Sequence, residues 1–221
     1  MCKYDFILIN KIWISFPLDF DITIIGSGVV GLAIGRSLVT LGKKICLIEK
    51  NISFGLETSS RNSEVIHSGI YYPKNSLKSS LCIQGNHLIY QYCEHHNVKY
   101  IKSGKLIIAN NKREYSELIK LKTNAELLNI NHSLLDKKDV KRLEPMINAK
   151  HAIHINSSGV IDSHAFMRSM FDTLNDYDTT PMGEACVLAF SLAKEWRESY
   201  ATVLYASLLT CMRNTFVPAK Y

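Results

Sequence analysis

The sequence of 221 residues predicts an α/β fold, with a parallel β-α-β unit near its N-terminus and an antiparallel part after it. Three observations predict this. A β-branched run, Ile22 to Ile25, leads into Gly26-Ser27-Gly28-Val29-Val30-Gly31. A second apolar run, Ile45 to Ile48, ends on the acid Glu49. Beyond it, short apolar runs joined by Ser-Gly turns alternate with helical periodicities and do not repeat the β-α unit.

Taken in order, Ile22 to Ile25 reads as a short buried strand, and Gly26 starts a turn. The spacing predicts a helix over 29–41, with Val30, Ala33, Ile34 and Leu38 inward and Gly42 as its stop. Gly35 sits inside that helix, where Ala would be favoured by about 1 kcal/mol. Ile45 to Ile48 is the second strand, so the pair is parallel with a right-handed crossover. "ETSSRNSEVIHSGIYYP" (57–73) has little periodicity and many polar groups, and reads as a long loop. Ser76 to His96 is a helix with Leu77, Leu81, Leu88 and Tyr92 on or near one face. Residues 98–109 form two strands joined at Ser103-Gly104. Residues 112–128 form an amphipathic helix with Tyr115, Leu118, Leu121, Ala125 and Leu128 inward. A short helix spans 136–143 and stops before Pro145. "AIHINSSGVID" gives two strands around a Ser-Ser-Gly turn, and Ser163 is expected to cap a last helix through Phe171.

Composition changes near residue 173. Residues 1–173 hold 24 Ile and residues 174–221 hold none, where about six or seven would follow from equal usage. The tail keeps helical patterning from Val187 to Met212. The expected organisation is an N-terminal extension (1–20), a nucleotide-binding part (21–97), a second part (98–162), a returning helix (163–173) and a divergent tail (174–221).

The formal charge of +6 is spread along the chain without a basic block, which argues against nucleic acid as a partner. None of the six Cys forms a CxxC, so neither a metal site nor a redox pair is signalled, and free thiols in a reducing compartment are expected. His95-His96 are adjacent and point apart, so no metal is expected there. The apolar start is broken by Lys11 and Pro17 and carries no small-residue cleavage site, so neither a signal peptide nor a membrane-spanning helix is expected.

A glycine turn between a strand and a helix is built for a dinucleotide. Gly26 permits the turn, Gly28 lets a pyrophosphate approach the backbone, and Gly31 lets helix and strand pack closely. The helix N-terminus offers unpaired N–H groups to the anion. Glu49 can accept hydrogen bonds from both ribose hydroxyls and repels a 2′-phosphate, which selects FAD or NAD over NADP. The long polar loop after Glu49 favours FAD.

With these residues placed, the chain resembles the FAD-dependent oxidoreductases of the D-amino-acid oxidase superfamily and, within it, the L-2-hydroxyglutarate dehydrogenase (oxidase) family. "IIGSGVVGLAIGRSL", "ETSSRNSEVIHSGIYYP", "SLKSSLCIQGNHLIYQYC", "SGKLIIA", "RLEP" and "GVIDSHAFM" carry the resemblance, over about residues 21–171. It implies a Rossmann-like FAD-binding β-α-β unit interleaved with part of an antiparallel-sheet substrate domain. It also implies oxidation of a 2-hydroxy acid, L-2-hydroxyglutarate to 2-oxoglutarate, with a quinone or other electron acceptor. A cytoplasmic location follows, with possible peripheral association at the inner membrane face.

The implied cofactor contacts are Gly26, Gly28, Gly31, Glu49, Lys50, Thr58, Ser59, Ser60, Arg61, Asn62 and Ser63. For Thr58, Ser59 and Ser60, helix capping is the competing reading. For Arg61 it is an ion pair with Glu57 or Glu64. His67 is the candidate base for the substrate hydroxyl, or a structural histidine. Tyr71, Tyr72 and Lys105 are candidate substrate contacts, or packing and solvent-facing residues. Family chains are nearly twice as long, so a truncated or frameshifted product with an unrelated tail is expected. Three functions follow from that: a flavoenzyme, a non-catalytic nucleotide-binding remnant, or one half of an enzyme completed by a separately encoded C-terminal half.

Overall fold

The computed structural model describes the backbone of residues 4–9, 12–17, 20–177 and 185–189. The chain divides into two compact units, one of residues 1–61 and 167–221 and the other of residues 62–166.

In the first unit, β1 (Tyr4–Ile9) and β2 (Ile12–Pro17) pair as an antiparallel hairpin. β3 (Ile22–Ile25) and β4 (Ile45–Glu49) pair in parallel, Ile22 opposite Ile45 and Ile25 opposite Ile48, on either side of α1 (Val29–Val39). The expected β-α-β unit is therefore present. At its base Asp21 ties the strands together, with its N–H donating to the Lys44 carbonyl and its carboxylate accepting from the Lys44 N–H. α1 ends in a Schellman motif: the Lys43 N–H reaches the Leu38 carbonyl, the Gly42 N–H reaches that of Val39, and Gly42 has φ +74°.

The inward face of α1 differs from the sequence expectation. Leu32, Gly35 and Val39 are buried, whereas Val30 and Ile34 are exposed. The glycines set this rotation. A Cβ on Gly31 would lie 1.9 Å from the Gly26 carbonyl oxygen, so only the glycine side of the helix can approach the strand. Gly35, one turn later, continues that side. A Cβ there would meet Leu174 at 3.2 Å and Ile24 at 3.5 Å, which gives this glycine a packing reason that helix propensity alone does not reveal.

The second unit carries two three-stranded antiparallel sheets. β5 (Val65–Ile66), β6 (Tyr100–Ile101) and β10 (Gly159–Ile161) form one in the order β5-β10-β6. β7 (Lys105–Ala109), β8 (His132–Asp136) and β9 (His151–Ile155) form the other in the order β7-β9-β8. The two strands joined at Ser103-Gly104 thus lie in different sheets, as do the two around Ser157-Ser158-Gly159. β8 is an element the polar run around it hid.

The helices of this unit follow their caps. Ser76 accepts from the Ser79 N–H to start α2 (Leu77–His95), and Asn111 accepts from the Glu114 N–H to start α3 (Lys112–Leu127). Asp136 accepts from the Lys138 and Asp139 N–H groups to start α4 (Lys137–Leu143). Leu118 and Ala125 of α3 are buried with Ile153 and Ile155 of β9, and Tyr115, Leu121 and Leu128 pack against them, as the periodicity predicts. On α2 the leucines grouped by the periodicity do not form the buried face. Leu77, Leu81 and Leu88 are exposed, and Ser79, Asn86 and Cys93 are buried. That face of α2 meets a loop whose carbonyls need donors, so a polar residue goes inside.

α5 (Ser163–Tyr177) runs six residues past Phe171. Its cap is Asp162, whose carboxylate accepts from the Ala165 N–H. Ser163 instead donates its hydroxyl to Glu64 at 2.7 Å. Met167, Met170 and Leu174 of α5 are buried. β11 (Ala185–Ala189) pairs in parallel with β4, completing the order β11-β4-β3. Val187 to Ala189 therefore lie in a strand, and the rest of the helical pattern read to Met212 falls outside the described residues. Among the described residues Cys46, Cys82 and Cys93 are not in disulfides, and no helix is long and apolar enough to cross a membrane.

Candidate functional site

In the first unit the glycine turn, the Glu49 carboxylate and residues 55–60 come together. Gly26 has φ +100°, a left-handed conformation that suits glycine. Gly28 is the N-cap of α1 but has no side chain to cap with. Ser59 does it from the loop, its Oγ accepting the Val29 N–H at 3.0 Å. A Cβ on Gly28 would lie 2.9 Å from that Oγ, so the second glycine makes room for the capping serine. The next amides, Val30 and Gly31, belong to the first helical turn, where helix geometry supplies no acceptor. The Gly55 N–H donates to the Ser27 carbonyl and closes the loop over the turn.

Glu49 is 8% exposed. Its Oε2 accepts from the Ser27 N–H at 2.8 Å and the Ser27 hydroxyl at 2.9 Å. Its Oε1 accepts from the Asn51 N–H and side-chain amide, each at 3.0 Å. Burial pushes this carboxyl up. Hydrogen bonds from the Ser27 and Asn51 amides and the Ser27 hydroxyl outweigh burial, and the net displacement is downward. The carboxylate is thus held ionised against the base of the turn. Neither Ser27 nor Asn51 stood out in the sequence as its partner.

The other loop residues have local uses. Lys50 pairs with Glu57 at 2.9 Å, an exposed ion pair that raises the Lys50 pKa and lowers that of Glu57. Thr58 to Ser60 form one turn of 3-10 helix, with the Ser60 hydroxyl donating to the Glu57 carbonyl. Of the carboxylates considered as partners of Arg61, Glu57 pairs with Lys50 and also feels the Arg61 charge, and Glu64 accepts from Ser163.

In the second unit, Asn62 Oδ1 accepts the Glu64 N–H at 2.7 Å, an Asx turn that holds Glu64 at φ +56°. Ser63 is exposed beside it. His67, Gly69, Tyr71, Tyr72, Lys105 and Ser158 line a single recess with room for about 10 Å³, about one water. All four residues weighed from sequence for base and substrate contacts therefore share one cavity. The Lys105 ammonium lies 4.8 Å from the centre of the Tyr71 ring, and Lys78 lies 4.6 Å from that of Tyr72. Two side-chain amides shape the loop. Asn86 donates to the His67 and Ser157 carbonyls at 3.0 and 2.9 Å, and Asn124 donates to those of Ile70 and Tyr72 at 2.7 and 3.0 Å. Asn86, Asn124 and Ser158 gave no sequence signal: polar residues on helix or turn patterns usually face solvent.

The sequence pattern of the FAD dependent oxidoreductase family (DAO) matches residues 21–184. The chain belongs to that family. Relatives within reach include mitochondrial L-2-hydroxyglutarate dehydrogenases. That of Arabidopsis thaliana is 39% identical over 160 residues, covering 71% of this chain and 33% of its own. That of Nematostella vectensis is 39% identical over 146 residues, covering 65% and 32%. Among solved structures, dithionite-reduced L-alpha-glycerophosphate oxidase from Mycoplasma pneumoniae with FAD bound aligns with a TM-score of 0.68 at 27% identity, over 76% of this chain and 44% of that one. The chain spans about a third of the length of the curated relatives it matches. Membership of the DAO family accounts for a chain that holds both a parallel β-α-β unit and antiparallel sheets, and the glycine turn agrees with the family's cofactor.

Proposed function

We propose that this chain supplies the adenine-nucleotide side, and part of the substrate side, of a FAD-dependent oxidoreductase that converts a 2-hydroxy acid of the L-2-hydroxyglutarate type to its 2-oxo acid. The observation that carries this reading is the 39% identity to L-2-hydroxyglutarate dehydrogenase over 160 residues.

In this reading Gly26, Gly28 and Gly31 leave the α1 N-terminus open to a pyrophosphate, and Thr58, Ser59, Ser60 and Arg61 stand on the loop beside it. Glu49 takes the ribose hydroxyls. All four of its acceptor positions are filled, so the Ser27 hydroxyl and the Asn51 side-chain amide turn aside while the two main-chain bonds stay. Lys50 supports the loop through Glu57, and Asn62 and Ser63 face the flavin end. FAD, when bound, supplies the two-electron acceptor for the hydrogen on C2. The His67 imidazole takes the hydroxyl proton as C2 becomes a carbonyl. Lys105 meets a substrate carboxylate, and Tyr71 and Tyr72 wall the cavity. A quinone or other acceptor, peripheral membrane contact and a separately encoded second half belong to the same reading.

One observation favours a second reading, a nucleotide-binding fragment without turnover. Among the described residues β3 is the last strand of its sheet, and Ile25 is 72% and Val30 68% exposed beside it, whereas parallel strands are ordinarily covered on both faces. FAD titration followed by anaerobic addition of L-2-hydroxyglutarate separates the two. Bound flavin that bleaches supports the oxidoreductase, and bound flavin that stays oxidised supports the fragment. Failure to bind FAD or ADP at all removes both.

A further inference from the structure

We infer that Glu57 is a further specificity-determining residue of the nucleotide site, whose carboxylate holds the donors beside Glu49 that would otherwise receive a phosphate on the ribose 2′ oxygen; this rests on the adenine-nucleotide reading above. Glu49 alone is half of that selection. The residue after it, Lys50, is a cation, and Asn51 carries a side-chain amide. An ammonium and an amide next to the ribose acid are the kind of donors that a phosphate needs. Left open, they would offset the repulsion from Glu49.

Glu57 closes them. Its Oε1 lies 2.9 Å from the Lys50 ammonium and accepts from the Asn51 side-chain amide at 3.3 Å. The Arg61 charge acts on the same carboxylate. Glu57 is thus an internal anion among a lysine, an arginine and an amide, a set that suits a phosphate.

The backbone brings it there. The Glu57 carbonyl accepts from the Ser60 N–H at 3.2 Å and the Ser60 hydroxyl at 3.0 Å, in the turn whose Ser59 caps α1. The Asn51 amide that reaches Glu57 also lies 3.0 Å from Glu49 Oε1, so the two carboxylate oxygens are no more than about 6 Å apart, inside a Debye length. A free ribose is neutral and donates its hydroxyls to Glu49. A 2′-phosphate brings close to two negative charges, meets two carboxylates and finds Lys50 and Asn51 engaged. Lys50 and Glu57 are both exposed, so solvent screens the effect to about three- to tenfold.

The test titrates the full chain with ADP-ribose and with 2′-phospho-ADP-ribose, which differ only in the phosphate. The unaltered chain is expected to favour ADP-ribose by about tenfold or more. Glu57→Gln keeps the size of the side chain and is expected to narrow that preference about three- to tenfold, through tighter binding of the phosphorylated ligand. Glu57→Lys is expected to narrow it further. Adding Lys50→Met to Glu57→Gln is expected to cancel the gain. The gain is also expected to shrink as salt is raised, which a loosened loop would not produce. An unchanged ratio in Glu57→Gln, an equal change for both ligands, a ratio that does not follow the charge at 57, or a gain that survives Lys50→Met would overturn the assignment and leave the nucleotide reading standing. Failure of the unaltered chain to bind ADP-ribose at all removes both.

Discussion

Ser59 Oγ accepts the Val29 amide at 3.0 Å across 30 residues of sequence. The helix opened by the glycine turn is therefore capped by the loop that follows the second strand, not by its own N-cap residue. Ser59→Ala is expected to lower stability by about 1 kcal/mol, the usual worth of a hydroxyl cap. Urea unfolding followed by far-UV circular dichroism measures it. A loss below about 0.3 kcal/mol would show that water replaces the serine.

Gly31 and Gly35 lie one turn apart and should respond differently to alanine. A Cβ at 31 falls 1.9 Å from a backbone oxygen, which cannot give way. Gly31→Ala is expected to cost at least about 3 kcal/mol and to abolish nucleotide binding. At 35 the neighbour is the methyl end of Leu174 at 3.2 Å. Crowding there opposes the gain in helix propensity, and Gly35→Ala is expected to change stability by less than about 1 kcal/mol. Paired thermal melts and ADP titrations check both, and equal losses would refute the close-approach account of Gly31.

The Glu49 carboxyl titrates below its ordinary value of 4.5 in the folded chain, because hydrogen bonds from Ser27 and Asn51 outweigh burial. Near and below that value the unfolded chain binds the extra proton first. Stability contributed by Glu49 is therefore fully present above the ordinary value and is lost as pH falls through the folded one. Melting temperature is expected to decline on acidification in that window, and Glu49→Gln is expected to flatten the decline. An identical pH profile in the variant would count against the network.

Asn86 donates to two carbonyls from a buried position. Asn86→Ala removes both bonds, leaving the Ser157 carbonyl with the Tyr90 hydroxyl as its other donor, and is expected to cost about 1–3 kcal/mol. Asn86→Asp sets a carboxylate against two carbonyl oxygens and is expected to cost more. Urea midpoints for the two variants give the order, and a reversed order would mean that the packing of α2, not donation, fixes the loop.

The β-α-β unit was legible because its signals are local: a β-branched run, three glycines at fixed spacing and an acid at the end of the next strand. The loop from Glu57 to Pro73 was legible as polar, but not the partner of each group. Glu64 reaches Ser163 across 99 residues and Asn86 reaches Ser157 across 71. No periodicity carries such pairings. The inward face of α1 was misread, and the leucines of α2 are not its buried face, for one reason. Apolar spacing marked Val30, Ile34, Leu77, Leu81 and Leu88, while close packing at Gly31 and carbonyls in need of donors near Asn86 chose other faces. α3 also sends an amide, Asn124, to loop carbonyls, yet there the apolar stripe still gave the buried face.

The chain leaves one sheet of the second unit for the other at residues 102–104 and returns at 156–158, and the Gly104 N–H bonds the Ser158 carbonyl where the two passages meet. A Cβ on Gly104 would lie 2.2 Å from His154 Nε2, and one on Gly159 would lie 2.5 Å from the Ile101 carbonyl oxygen. Both crossings are thus closely packed, against a side chain at Gly104 and against backbone at Gly159, and each fixes the strand register of the other. Insertions or deletions of a single residue are correspondingly excluded at both crossings. β8 enters the sheet at the same end, His132 lying opposite Ile155 and the Asn156 main-chain and side-chain amides both donating to Asn131, so over evolutionary time a change in loop length has almost no room at the end of the β7-β9-β8 sheet that carries the recess.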